Sequence, residues 1–168
     1  MNTKVKLSNV IFGCMITLLA GLASLYISGG KFDFNKIEDK RIYEWTAKQF
    51  KVNQLEMPKV NYLSDKEMKE EITLRYAHMI YKFIEDSKKN GIEKEEIMKD
   101  IEDYIFGVKG MYAPWNDVIM IRNTMSRCIQ KATLSHEFTH HFQNMYGYKI
   151  EEETPGMIKE LYKKEFCN

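Results

Sequence analysis

The sequence predicts a mainly helical α+β protein: an N-terminal transmembrane helix within residues 1–30, then one small domain, 31–168, with a short β-sheet and a metal-binding helix. Three observations predict it. Residues 10–27 form an uncharged, apolar run of eighteen, just long enough to cross a bilayer as a helix. Beyond that run, apolar residues recur at helical spacing in segment after segment, with only short stretches patterned as strand. Residues 133–143 contain His-Glu-x-x-His, whose two histidines at i and i+4 lie one above the other on a helix.

Length and charge bound the rest. The chain of 168 residues supports one domain of ordinary size plus a short extra segment. Its 25 Lys and Arg against 24 Asp and Glu leave a net charge of +1, with the signs interspersed, so there is no electrostatic footprint for nucleic acid.

Lys4 and Lys6 precede the apolar run, which continues past Ala23 to Ile27, longer than the core of a signal peptide needs. It reads as an anchor. A cleaved signal peptide, with Gly21-Leu22-Ala23 at the cleavage site, is the alternative. Cys14 has too few apolar residues before it for lipoprotein acylation. Basic residues flank the span on both sides, Lys4 and Lys6 before it and Lys31, Lys36, Lys40 and Arg41 after it, so charge does not orient it. A short tail followed by a single span places the remainder outside the cytoplasm, which makes this a single-pass membrane protein with an extracytoplasmic domain.

The elements follow in order. Ile37, Ile42, Trp45 and Phe50 mark a helix over 35–50, and Val60 begins a short alternating strand. Ser64 caps the next helix, with Glu67 completing a capping box, and the pattern runs through Met68, Ile72, Tyr76, Met79, Ile80 and Phe83 to about Lys89. Asn90-Gly91 stops it. Ile97, Ile101 and Ile105 mark a helix over 93–106, Pro114 and Asn116-Asp117 a turn, and 118–121 a strand. Leu134, Phe138, Phe142 and Met145 give the His-bearing helix a core-facing stripe that ends at Tyr146-Gly147. Thr154 as N-cap and Pro155 at the first helical position open the last helix. Cys128 and Cys167 would meet if those two helices pack antiparallel. A disulfide and two free thiols are both open readings.

The chemistry sits on the His-bearing helix. His136 and His140 grip one ion, and Glu137, beside the first ligand, can take a proton from a water activated there. A third ligand must come from downstream. Glu160, twenty residues after His140 in the second turn of the last helix, is the choice, with Met157, Ile158, Leu161 and Tyr162 as packing partners. Glu151, Glu152 and Glu153 compete, Glu153 as runner-up, although a helix N-terminus favours carboxylates with or without metal. His141 lies about 100° around the helix from His140 and reads as an outer residue, and His78 on a distant helix reads as structural. Tyr112 is a candidate oxyanion donor, weighed against the commoner role of a packing aromatic.

Thr-Leu-Ser-His-Glu-Phe-Thr-His-His-Phe resembles the active-site helix of zincin metallopeptidases, and Gly110-Met111-Tyr112-Ala113-Pro114 through Val118-Ile119-Met120-Ile121 resembles the strand preceding it in small zincins. The compact members it is similar to are the minigluzincins and the ImmA/IrrE-type zinc peptidases, over residues 35–168. With no Gly-x-x-His after His140 the metzincin pattern is absent, and a glutamate on a following helix is the gluzincin arrangement. Lys164, four residues after Glu160, departs from the larger gluzincins, which carry an acid there. The resemblance implies a Zn2+ cofactor, a peptide or protein substrate held along an edge strand by backbone hydrogen bonds, and Glu137 as general base. Cutting a repressor inside the cell, as the ImmA/IrrE likeness would suggest, conflicts with the predicted topology. The alternative is a membrane-tethered helical interaction or regulatory protein whose metal site is structural or vestigial.

Overall fold

The apolar run at 118–121 forms the middle of a small sheet, and its period-two pattern explains the layers on either side. In the structure, a computed structural model that describes residues 34–53 and 56–167, six helices surround three strands. They are α1 (Phe34–Phe50), β1 (Lys59–Leu63), α2 (Asp65–Arg75), α3 (Ala77–Lys89), α4 (Lys94–Gly107), β2 (Gly110–Ala113), β3 (Val118–Arg122), α5 (Arg127–Met145) and α6 (Glu153–Phe166). The cores and the site described below lie in the unit Glu38–Asn168. The expected span at 10–27, with Cys14 and the expected boundary after residue 30, lies outside the described residues. Among those described, no helix is long and apolar enough to cross a membrane.

The strand order is β1-β3-β2, with β1 parallel and β2 antiparallel to β3. Side chains alternate across a strand. Ile119 and Ile121 accordingly enter a core with Ile42, Tyr43, Leu134, Phe138, Phe142 and Tyr162, while Met120 enters a second core with Met68, Ile72, Ile105 and Met111. Both faces are covered, which is why β3 reads as an unbroken apolar run. It is therefore the central strand, with β1 and β2 as the two edges.

The capping box at Ser64 forms as expected, Glu67 N–H donating to Ser64 Oγ and Ser64 N–H to Glu67 Oε2. The single helix expected from there to Lys89 is instead two, divided at Tyr76, which lies at φ −104° and ψ 14°. Arg122, buried at the end of β3, donates to the Ile105 and Val108 carbonyls at the C-terminus of α4 and to Asp65 Oδ1 at the start of α2. One side chain thus ties three elements together.

Leu134, Phe138 and Phe142 are fully buried, as their spacing predicts, but Met145, at the frayed end of the same stripe, is 51% exposed. Gly147, at φ +67°, then turns the chain, and Tyr148 N–H donates back to the Gln143 carbonyl. α6 packs along α5, and a disulfide joins Cys128 in the first turn of α5 to Cys167 just past α6, the Cα atoms 5.7 Å apart. Glu38 of α1 accepts from Arg127 at 2.6 Å and pairs with Lys131, fastening α1 to the start of α5.

Candidate metal centre

The i, i+4 spacing does what the helix requires of it: His136 Nε2 and His140 Nε2 lie 3.1 Å apart on one face of α5. The carboxylate that joins them is Glu152. Its Oε2 is 3.1 Å from His136 Nε2, and its Oε1 is 3.4 Å from His140 Nε2. These three residues form a group that could hold a metal ion. Glu160, the expected third ligand, lies elsewhere: its Oε1 accepts from Lys163 Nζ at 2.6 Å on the exposed face of α6. It sits eight residues beyond Glu152, about 12 Å further along the helix axis. Glu153, the runner-up, is exposed outside the group.

The reason Glu152 is chosen lies one residue earlier. Glu151 accepts from the Glu153 N–H at 2.6 Å and the Thr154 N–H at 3.1 Å, so it caps α6, which begins two residues before the expected Pro155 start. The same carboxylate accepts from Gln143 Nε2 at 2.8 Å. Glu151 is thereby committed to the cap and to α5, and the next side chain, Glu152, faces the imidazoles.

Gln143 also fixes the tautomer of His140. Because its amide nitrogen donates to Glu151, its Oε1 must face His140 Nδ1, 3.0 Å away, and accept the Nδ1–H. His140 Nε2 therefore carries a lone pair toward His136 and Glu152. Burial first, and then the His140 ring beside it, brings the His136 imidazole down to about 4, so it is neutral near pH 7, the form in which imidazole ligates a metal.

The donor set fits a divalent ion. Lone-pair-bearing atoms at 3.1, 3.1 and 3.4 Å repel one another unless a cation or proton sits among them. Ligands of a tetrahedral zinc bonded at 2.0–2.1 Å stand about 3.3 Å from each other. The Glu152 side chain is 78% exposed, so the centre opens to solvent on one side.

That side is a cleft of about 550 Å³ whose walls include Tyr76, Tyr104, Lys109, Gly110 and Lys159. Glu137 borders it too, and burial pushes its carboxyl up to about 8. Glu152 adds to that rise, while the Lys159 ammonium and the Tyr112 backbone N–H act against it. The strand beside Glu137 approaches very closely: a Cβ on Gly110 would stand 2.5 Å from Thr133 Cγ2 and 3.0 Å from Glu137 Oε1. Only glycine leaves β2 room to lie against the α5 face that carries Glu137. Since the Lys109 carbonyl accepts from Arg122 N–H on the β3 side, strand alternation turns the backbone groups of Gly110 and Tyr112 toward the open edge.

Tyr112 takes the packing role. Its hydroxyl donates to Asp117 Oδ1 at 3.0 Å and accepts from Asn144 Nδ2 at 3.2 Å, and burial pushes it up to about 12. Asp117 also holds His141 Nδ1, at 2.9 Å. His141 is thus no ligand, but it is fully buried rather than outer, its imidazole held low by burial. His78 is exposed on α3, outside the group. Reading the sequence placed Glu151 at the helix N-terminus as a competing carboxylate, and missed Gln143, Gly110 and Lys159. Of these, Gln143 alone carried a signal, standing three residues from His140 on the same helix face.

Set against models of known protein families, curated proteins and solved structures, the chain matches none of them.

Proposed function

We propose that the chain is a membrane-anchored, zinc-dependent metallopeptidase of the zincin type. The observation that carries this reading is the convergence of His136, His140 and Glu152 at the mouth of a cleft that Glu137 borders and an open strand edge lines. Zinc held there would polarise a carbonyl and acidify water. An extended peptide adds to the outer edge of β2 through the backbone groups of Gly110 and the carbonyl of Tyr112, whose N–H serves Glu137. Glu137 in its ionised form, which the Lys159 ammonium and the Tyr112 N–H favour against its burial, accepts the proton of the attacking water and returns it to the leaving amine. Gln143 keeps the His140 proton on Nδ1 throughout.

The exposure of Glu152 favours this over a structural or vestigial site in a tethered regulatory protein, because structural zinc sites are closed by four protein ligands. The disulfide between Cys128 and Cys167 supports an oxidising compartment and, with the apolar run at 10–27, an extracytoplasmic domain on a single-pass anchor.

Glu137→Gln tests the reading. It should keep its zinc and lose peptide hydrolysis by about 10²–10⁴-fold, the usual contribution of a general base. Zinc binding without hydrolysis of any peptide by the unmodified chain would favour the regulatory protein instead.

A further inference from the structure

Two ammonium groups reach the cleft from different elements: Lys159 from α6, and Lys109 from the residue that leads into β2. They are close enough for the charge of Lys109 to disfavour that of Lys159. Lys159 is also half-buried, and burial is the largest effect on it. Glu137, Glu160 and Lys163 are the other charged groups that act on it. Among the described residues neither Lys109 nor Lys159 forms a side-chain hydrogen bond or ion pair, whereas Lys131, Lys163 and Lys69 each hold a carboxylate. Glu160, the nearest acid on the same helix, is spent on Lys163.

A half-buried ammonium beside a second one is unfavourable unless an anion joins them. The acids nearby do not suffice: Glu152 is turned to the imidazoles, and Glu137 and Glu160, although they favour the Lys159 charge, do not offset its burial and the neighbouring Lys109 and Lys163. A divalent ion on His136, His140 and Glu152 would add positive charge at the same mouth. A cleft of about 550 Å³ has room for several residues of an extended peptide.

We infer that the cleft selects peptides bearing a glutamate or aspartate within a residue or two of the bond cut, its carboxylate held between Lys159 and Lys109. This rests on the hydrolytic reading above. The rival role for Lys159, holding the oxyanion of every substrate, differs in one respect: it would serve neutral and acidic peptides alike.

The test uses the full chain loaded with zinc and a positional set of alanine-based peptides, each carrying Glu or Gln at one place. At one position the Glu peptide should be favoured in kcat/KM by about tenfold, the ratio of one charge-assisted contact. That ratio should fall toward one in Lys159→Gln, invert in Lys159→Glu, and fall partly in Lys109→Gln, an exposed site that tolerates the change. Zinc content reports whether each variant is folded. In parallel, calorimetry on Glu137→Gln should show the Glu peptide binding more tightly than the Gln peptide, and that margin should vanish when Lys159→Gln is added. Selective binding through Lys159 without any hydrolysis would defeat the hydrolytic reading and uphold the anion site. Equal turnover and binding of the two peptides, or an equal loss for both in Lys159→Gln, would overturn the inference.

Discussion

Gly110 has no space for a methyl group, because Thr133 and Glu137 stand where its Cβ would be. Gly110→Ala must displace the Thr133, Glu137 and Ile121 side chains or push β2 away from α5, and the branched, buried Thr133 has little room to yield. The variant should lose about 1–3 kcal/mol of stability, the usual cost of overpacking, and should lose activity through the displaced edge even where it remains folded. Thermal unfolding alongside peptide turnover checks both. At this scale the sequence was half legible. The histidine pair and Glu137 could be read because i, i+4 spacing is a property of the helix itself. The third donor could not, since Glu151, Glu152, Glu153 and Glu160 are chemically alike. What separates them is a tertiary fact, the commitment of Glu151 to Gln143 and to the α6 cap.

Among the elements, α4 ends without a basic residue in its last turn, and β3 supplies one from outside. Arg122→Ala would remove the side-chain donor from both carbonyls, leaving Ile105 only a 3.4 Å bond from the Val108 N–H, and should cost about 2–4 kcal/mol in denaturant unfolding. The same contact has a pH signature. Hydrogen bonds from Thr124 and then Arg122 hold the Asp65 carboxyl below its ordinary value of 3.8. The folded chain therefore keeps Asp65 charged where the unfolded chain takes up a proton, so this stabilisation is complete above that value and is lost as pH falls through the lower folded one. Asp65→Asn should flatten that part of the acid limb of a stability curve, whereas an unchanged limb would show that Asp65 contributes nothing to it.

Element types were more legible than their arrangement. The capping box and the helix-ending Gly147 are local chemistry and appear where the spacing puts them. The break at Tyr76 has no proline or glycine to announce it. The central place of β3 depends on β1 and β2 pairing with it in opposite directions, and the apolar run showed only that a strand lies there.

For the molecule as a whole, the disulfide between Cys128 and Cys167 closes the α5–α6 hairpin opposite the end that carries Glu152. It spans 39 residues, so chain entropy assigns it about 4 kcal/mol. Cys128→Ser with Cys167→Ser should lower unfolding stability by about that amount, and reductant should affect the parent chain but not the double variant. Because the hairpin positions Glu152, zinc affinity should weaken together with stability. The pairing was legible only as geometry conditional on antiparallel helices. Whether residues 10–27 anchor the chain is a separate matter from the site, which is built from Glu38 onward.

The metal centre itself is the claim on which the function turns, and zinc stoichiometry of the purified chain tests it most directly. Metal analysis should find near one zinc per chain, a sharp loss in Glu152→Ala, and no loss in Glu160→Ala. Zinc retained in Glu152→Ala but lost in Glu160→Ala would contradict the donor set described, and absence of zinc from all three proteins after metal loading would contradict the centre altogether.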